Sequence, residues 1–366
     1  MLTKHQFLKA YCEVSNIASL TTGEWNSLVR ILRERSLLAS YYHRLRQYGQ
    51  THLVPPACTD AFLSSINFAS AQAMQTKIQG RKLTALFSAH QVPFIFLKGA
   101  AYILGEKSNS LGRLMTDIDI CVERKYIEKA EHILINSGWS FKDMDEHDDK
   151  YYRKWSHEIP PLQHSEDGVV LDVHHTLIPP IKGRILDIER LVKSSKIADD
   201  SCPVPSIEWM VLHSALHLII NEDVENGLRD LTDIYLLLTN ASPQKTLETE
   251  KLFVQEGFEN EWSIVVNLLR YFFNFPIATH QNQPKTSKLT AMRCYVLKSA
   301  LLPTSSYLPI RYLWLWKSIN YVVGYLSKMP LSILIKQASY KSYRQIVKVI
   351  FGDYFFRKSK QQKSEL

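Results

Sequence analysis

Apolar residues in the first 92 positions recur at helical rather than alternating spacing, most clearly over residues 24–32 and again over 66–90. Thr21-Thr22-Gly23-Glu24 offers a helix start, and Val54-Pro55-Pro56 breaks the run between helices. The pattern then changes. Phe94-Ile95-Phe96-Leu97 is a short run of β-formers that ends in Lys98-Gly99, which reads as a buried strand delivering a tight turn into a helix. A second apolar strand covers 118–122, followed by a helix over 124–138 with Ile127, Ala130, Ile133 and Leu134 on one face. Residues 139–167 are polar and broken by Pro160-Pro161, as in an irregular hairpin. Residues 168–174 form a further β-rich run behind an Asp-Gly turn. Helical spacing returns over 206–239 and in a single helix over 252–275.

Acidic residues interrupt the strands at specific places. Residues two apart on a strand share a face, so Asp117 and Asp119 project side by side. Two like charges at that spacing raise each other's pKa or demand a counter-charge, and for paired oxygen ligands a divalent ion such as Mg²⁺ supplies it. In the later run, Asp172 and His174 share one face and His175 takes the other. His174 reads as a hydrogen-bonded neighbour of the carboxylates in preference to a ligand, because Mg²⁺ prefers oxygen. His147, His157 and His164 lack the i, i+4 spacing of a helical metal site. His213 and His217 have that spacing but no intervening acid of the H-E-x-x-H type, so packing or hydrogen bonding is the expected role.

An apolar strand, a glycine turn opening a helix, and then a strand carrying D-x-D together resemble the nucleotidyltransferase superfamily that includes polymerase β. The L-K-G turn, Arg113 and the D-I-D-I run most resemble the bacterial group described as uncharacterised nucleotidyltransferases. The resemblance spans residues 85–240. It implies an α+β fold with a small mixed β-sheet core over 85–185 and a helical domain closing the nucleotide cleft (186–300), to which the residue pattern adds an N-terminal helical region (1–84) and a basic aromatic C-terminal helical region (301–366). It also implies a third carboxylate, which Asp172 supplies, so that Asp117, Asp119 and Asp172 form the catalytic and metal-binding set for Mg²⁺ or Mn²⁺. Many relatives carry Gly-Ser after the first strand, where this chain has Lys98-Gly99-Ala100. Without that hydroxyl, backbone N–H groups at the helix start and the cations Lys98 and Arg113 are left to hold the triphosphate. A helix of L-R-D-L-x-D-I character lines the cleft in such enzymes, which makes Arg229 and Asp233 nucleotide-side groups. The competing reading of that pair is an ordinary i, i+4 ion pair on a helix surface.

Composition adds compartment and partners. The five cysteines are odd in number and spread without a C-x-x-C pair, which indicates neither a disulfide framework nor a zinc site. Lys4, His5, Lys9 and Glu13 interrupt residues 1–20, unlike a signal peptide, so a cytoplasmic location is expected. The net charge is +8, yet residues 311–366 hold 11 Lys/Arg against 2 Asp/Glu, which leaves the rest of the chain near neutrality. Residues 307–354 combine Tyr and Trp with basic, amphipathic character. That suits an anionic membrane face, a nucleic-acid-binding arm, or a packed helical subdomain. The function expected is transfer of a nucleoside monophosphate, AMP from ATP or the equivalent from another nucleoside triphosphate, to an acceptor hydroxyl. The alternative is a catalytically degenerate nucleotide-sensing or membrane-anchored scaffold on the same fold.

Overall fold

The computed structural model describes residues 1–14, 17, 20–141, 146–179, 183–197, 202–277 and 287–328, together with 335 and 339. Four helices come first: α1 (Lys4–Cys12), α2 (Thr22–Glu34), α3 (Leu38–Gln47) and α4 (Pro56–Ala89). The expected start at Thr21 is a capping box: its hydroxyl accepts from the Glu24 N–H while the Glu24 carboxylate accepts from the Thr21 N–H. Pro56 occupies the first turn of α4, where a missing N–H leaves no bond unmade.

The sheet segment follows in the order β1 (Phe94–Phe96), α5 (Lys98–Leu104), β2 (Ile118–Val122), α6 (Ile127–Asn136), β3 (Trp139–Phe141), α7 (Glu146–Trp155), β4 (Leu162–His164), β5 (Val170–His174) and α8 (Ile188–Lys193). The strands lie side by side as β1-β2-β5-β4-β3, with β2 and β5 parallel and the other pairs antiparallel. This is the small mixed sheet that the sequence predicts. Because β2 and β5 are parallel and in register, Asp119 stands opposite Asp172, and Cys121 opposite His174. Every residue of β2 is buried, as expected of a strand covered on both faces.

Three features depart from the sequence expectation. The irregular hairpin expected over 139–167 contains α7, in which Tyr151, Tyr152 and Trp155 recur at helical spacing within an otherwise strongly polar segment. Arg153 holds it to α6 through Glu131 and to its own Asp149. A two-stranded ribbon, β6 (Lys196–Ile197) with β7 (Pro203–Val204), lies against β1. The single helix expected over 252–275 is two: after α9 (Ile207–Ile220) and α10 (Gly227–Thr239) come α11 (Pro243–Gln255) and α12 (Glu259–Phe273), with a break around Gly257. Then α13 (Lys288–Ala300) and α14 (Leu313–Lys328) complete the described chain. The amphipathic segment expected within 329–366 lies outside the described residues, apart from 335 and 339. No described helix is long and apolar enough to cross a membrane.

Of the N-terminal helices, α4 lies against α5 and α6. The rest reach further. Tyr11 hydrogen-bonds Thr232 of α10 at 2.8 Å, and the buried Arg44 guanidinium sits 5.0 Å from the Tyr11 ring centroid and 5.6 Å from that of Phe273. One contiguous hydrophobic core therefore runs from Leu2 to Leu313. The helix α3 also props the loop that leads to β2. Gly112 has φ +71°, and a Cβ there would run into the backbone of Ala39 and Ser40. Gly112→Ala should cost on the order of 2–4 kcal/mol, because left-handed strain and a backbone clash add. Denaturant unfolding of the variant and the parent measures this. A difference within about 0.5 kcal/mol would show that the loop does not need α3 for support.

Candidate active site

The site is assembled where β1 hands over to α5. The Leu97 N–H donates to the Asp119 carbonyl at 2.9 Å, which holds the turn against β2. Lys98 then adopts φ +42°, a left-handed conformation unusual for a side-chain-bearing residue. Its ammonium lies 2.8 Å from Asp119 Oδ1, and His174 Nε2 lies 3.0 Å from the same oxygen. Asp119 is 3% exposed. Burial alone would raise its pKa, but Lys98 and the His174 hydrogen bond outweigh burial and hold it well below the usual carboxylate range. Burial likewise works against the Lys98 charge, and Asp119, with Glu158 and Asp117 behind it, raises its pKa nonetheless. Within the protein, Lys98 thus supplies one counter-charge to the Asp117–Asp119 pair.

The other two carboxylates are not so provided. Asp117 and Asp119 line one cavity of about 190 Å³, together with Lys98, Arg113, Arg229 and Asp233. Burial and the Asp119 charge raise the Asp117 pKa. Asp172 is pushed up to about 7, first by burial and then by Asp119, Glu158 and Asp117. Its Oδ1 is buried with no hydrogen-bond partner among the described residues. An orphaned carboxylate oxygen paired across two strands with a second carboxylate is a donor set that fits a divalent cation.

Arg113 and Asp233 form a buried ion pair at 2.8 Å. Asp233 is thus the partner of Arg113 and not of Arg229, which removes the surface i, i+4 reading. Arg229 instead stands 3.5 Å from Asp230, whose carboxylate is also bonded to His217 at 3.0 Å. The guanidinium of Arg113 lies over the Tyr102 ring at 5.3 Å, and Tyr102 OH is hydrogen-bonded to Ser214. Gly99 is required by this arrangement, since a Cβ would collide with the Arg113 guanidinium and the Met115 sulfur. Ala100, expected near the phosphates, is packed in the core. A second cavity of about 220 Å³ shares Met115, Thr116 and Asp117 with the first and is walled by Gln72, Thr76 and Gln79 of α4. Gln72 accepts from the Met115 N–H at 2.8 Å and so fixes the loop before β2. Together the two spaces reach the lower part of the range typical of small-molecule sites.

Of the histidines, His213 is buried, and burial holds its pKa well below the ordinary value. His164 pairs with Asp167, and the His147 side chain lies outside what the structure describes. Glu158 and Asp230 were not singled out from sequence. Glu158 carries no spacing signal, because its neighbour His174 is reached only through the sheet.

The raised pKa of Asp172 has a consequence for stability. The native state keeps its proton up to about pH 7, whereas the unfolded chain releases it near pH 4, so native stability falls as pH rises between these values. In metal-free buffer, Asp172→Asn should match the parent at pH 4. By pH 8 it should exceed the parent by on the order of 2 kcal/mol, with the partial exposure of the side chain discounted. Melts at the two pH values check this, and a variant no more stable than the parent at pH 8 would contradict it.

Among protein families, the chain matches the one described as uncharacterised nucleotidyltransferase over residues 21–255, which takes in α2 to α11 and every carboxylate discussed above. No curated protein matches it. The mixed sheet with helical flanks, the carboxylates paired across β2 and β5, and a family match over more than half the chain identify it as a nucleotidyl-transferring enzyme: it belongs to the uncharacterised nucleotidyltransferase family.

Proposed function

We propose that the protein transfers a nucleoside monophosphate, AMP from ATP in the first instance, to an acceptor hydroxyl with release of pyrophosphate. The observation that carries this is the register of β2 and β5, which sets Asp119 opposite Asp172 with Asp117 on the wall of the Asp119 cavity. Asp117, Asp119 and Asp172 would hold Mg²⁺ or Mn²⁺. Such ions neutralise the triphosphate and lower the pKa of the attacking hydroxyl. Lys98, which shares the cavity with Arg113 and Arg229, would leave Asp119 for a phosphate oxygen. The acceptor oxygen attacks the α-phosphorus, the bond from it to the oxygen bridging to the β-phosphate breaks, and the hydroxyl proton passes to solvent or a carboxylate.

A scaffold that binds nucleotide without turnover is supported by one feature: Lys98, Arg113 and Arg229 each already face a carboxylate. Incubation with each α-labelled triphosphate and a cell lysate separates the readings. Label should pass to an acceptor with the parent. Asp172→Ala should lose transfer while keeping much of its triphosphate affinity in calorimetric titration, since Asp117 and Asp119 remain. Absence of transfer from every triphosphate would favour the scaffold, and loss of binding in the variant would overturn this division of roles.

For partners, the exposed apolar face of α14 favours an anionic membrane over nucleic acid. Trp314 is 69% exposed, Val322 55% and Tyr321 52%, beside Met292 of α13 at 59%. Such side chains suit an interface with acyl chains, and the nine Lys/Arg of residues 311–366 other than Lys317 and Lys328, which pair with Glu225 and Glu222, suit the headgroups. The full chain should sediment with anionic vesicles at low salt and be released as the Debye length falls from about 30 Å at 0.01 M to about 8 Å at 0.15 M. A gel shift with RNA or DNA but no vesicle binding would reverse the assignment.

A further inference from the structure

The end of β5 meets a short extended segment just after α7. Ile159 N–H donates to the Val173 carbonyl at 3.0 Å, His175 N–H donates to the His157 carbonyl at 2.9 Å, and Glu158 and His174 face each other as an antiparallel bridge. This pairing brings three side chains to one point. His157, Glu158 and His174 present ligand atoms that all lie within 4.8 Å of one another, and no other described group of three or more His, Cys, Asp or Glu side chains converges this closely.

We propose that His157, Glu158 and His174 form a site for a borderline divalent ion such as Zn²⁺, separate from the carboxylate set of the transfer site. Two imidazoles and one carboxylate with a position left open are the ligands of a zinc site, and Mg²⁺ would not choose them. The spacing agrees. Glu158 Oε2 is 3.4 Å from His174 Nε2 and 3.8 Å from His157 Nε2. Ligand atoms about 2.0–2.2 Å from a tetrahedral ion stand roughly 3.3–3.6 Å apart, so the Glu158 pairs need a shift of a few tenths of an ångström at most, and the two imidazoles, within 4.8 Å of each other, close by about 1 Å through side-chain rotation. Hydrogen bonding satisfies the cluster less well. Nε2 of His174 can make one short hydrogen bond, and Asp119 Oδ1 faces it at 3.0 Å, while both Glu158 separations exceed the usual N–H···O distance. An ion on His174 Nε2 displaces that hydrogen bond, so Asp119 loses one of its two donors on occupancy. The site lies beside the nucleotide cavity but does not depend on nucleotidyl transfer.

The test uses the metal-stripped full-length protein, titrated calorimetrically with Zn²⁺ alone and with Mg²⁺ alone, without nucleotide. A tetrahedral Co²⁺ spectrum serves as a second readout. The expected result is one Zn²⁺ equivalent, retained in Asp117→Asn and weakened by at least about 100-fold in both His157→Ala and Glu158→Gln, since loss of even an outer-shell partner costs about 10–100-fold. Circular dichroism of each variant checks that it is folded, and the two substitutions differ enough in size that one survives if the other does not. No Zn²⁺ binding, or binding that survives both substitutions, overturns the proposal. Binding lost in Asp117→Asn overturns it too, by assigning the ion to the D-x-D carboxylates. Label transfer by the parent is measured separately, so the two readings fail independently.

Discussion

Asp119 lies in a strand with no exposed residue, and it is an anion there because Lys98 and His174 both reach one of its oxygens. Each partner belongs to a different element. Lys98 begins α5 in a left-handed conformation, and His174 ends β5, so the single charge fixes the turn after β1 and the neighbouring strand relative to β2. A carboxylate buried this deeply is tolerated only when it is paired and hydrogen-bonded, and removing either partner would leave a desolvated charge. The arrangement also explains why the remaining carboxylates are left electrically exposed to one another. Lys98 is spent on Asp119, and Asp172, one strand away, feels three acids while its Oδ1 has no hydrogen-bond partner among the described residues.

A second buried pair, Arg113 with Asp233, does for the helical half what the first does for the sheet. Arg113 comes from the loop before β2 and Asp233 from the middle of α10, so the cavity between them is closed by an ion pair and not by apolar contact. Gly99 admits the guanidinium, and Gly112, against α3, lets the loop turn toward it. The first helices are consequently part of the site's support, since α3 and α4 brace the loop from one side while Tyr11 and Arg44 tie the N-terminal region to α10 and α12 on the other.

Much of the architecture is legible in the amino-acid pattern, because local rules governed it. Thr21 and Glu24 make a capping box wherever a helix starts with them, the Pro55-Pro56 pair must stand at a helix entrance, and alternation in residues 168–174 puts Asp172 and His174 on one side of any strand they form. The order of strand, glycine turn, D-x-D strand and later acidic strand was enough to point to a nucleotidyltransferase core, and the family match bears out that assignment. The helix α7 escaped because its few aromatic residues sit in a strongly polar segment, and the break at Gly257 because apolar helical spacing continues on both sides of it.

Sequence by itself determined which residues could bear charge and which face of each strand would carry them, since both follow from side-chain type and a period of two. Only the tertiary structure decided how those charges are matched. That Lys98 meets Asp119, that Asp233 takes Arg113 in place of its helix neighbour Arg229, that Ala100 goes to the core, and that Glu158 stands against His174 all depend on groups from separate elements arriving within about 4 Å. Interaction between charges falls off with distance and depends on burial, and neither is defined until the strands are paired and the helices are packed upon them.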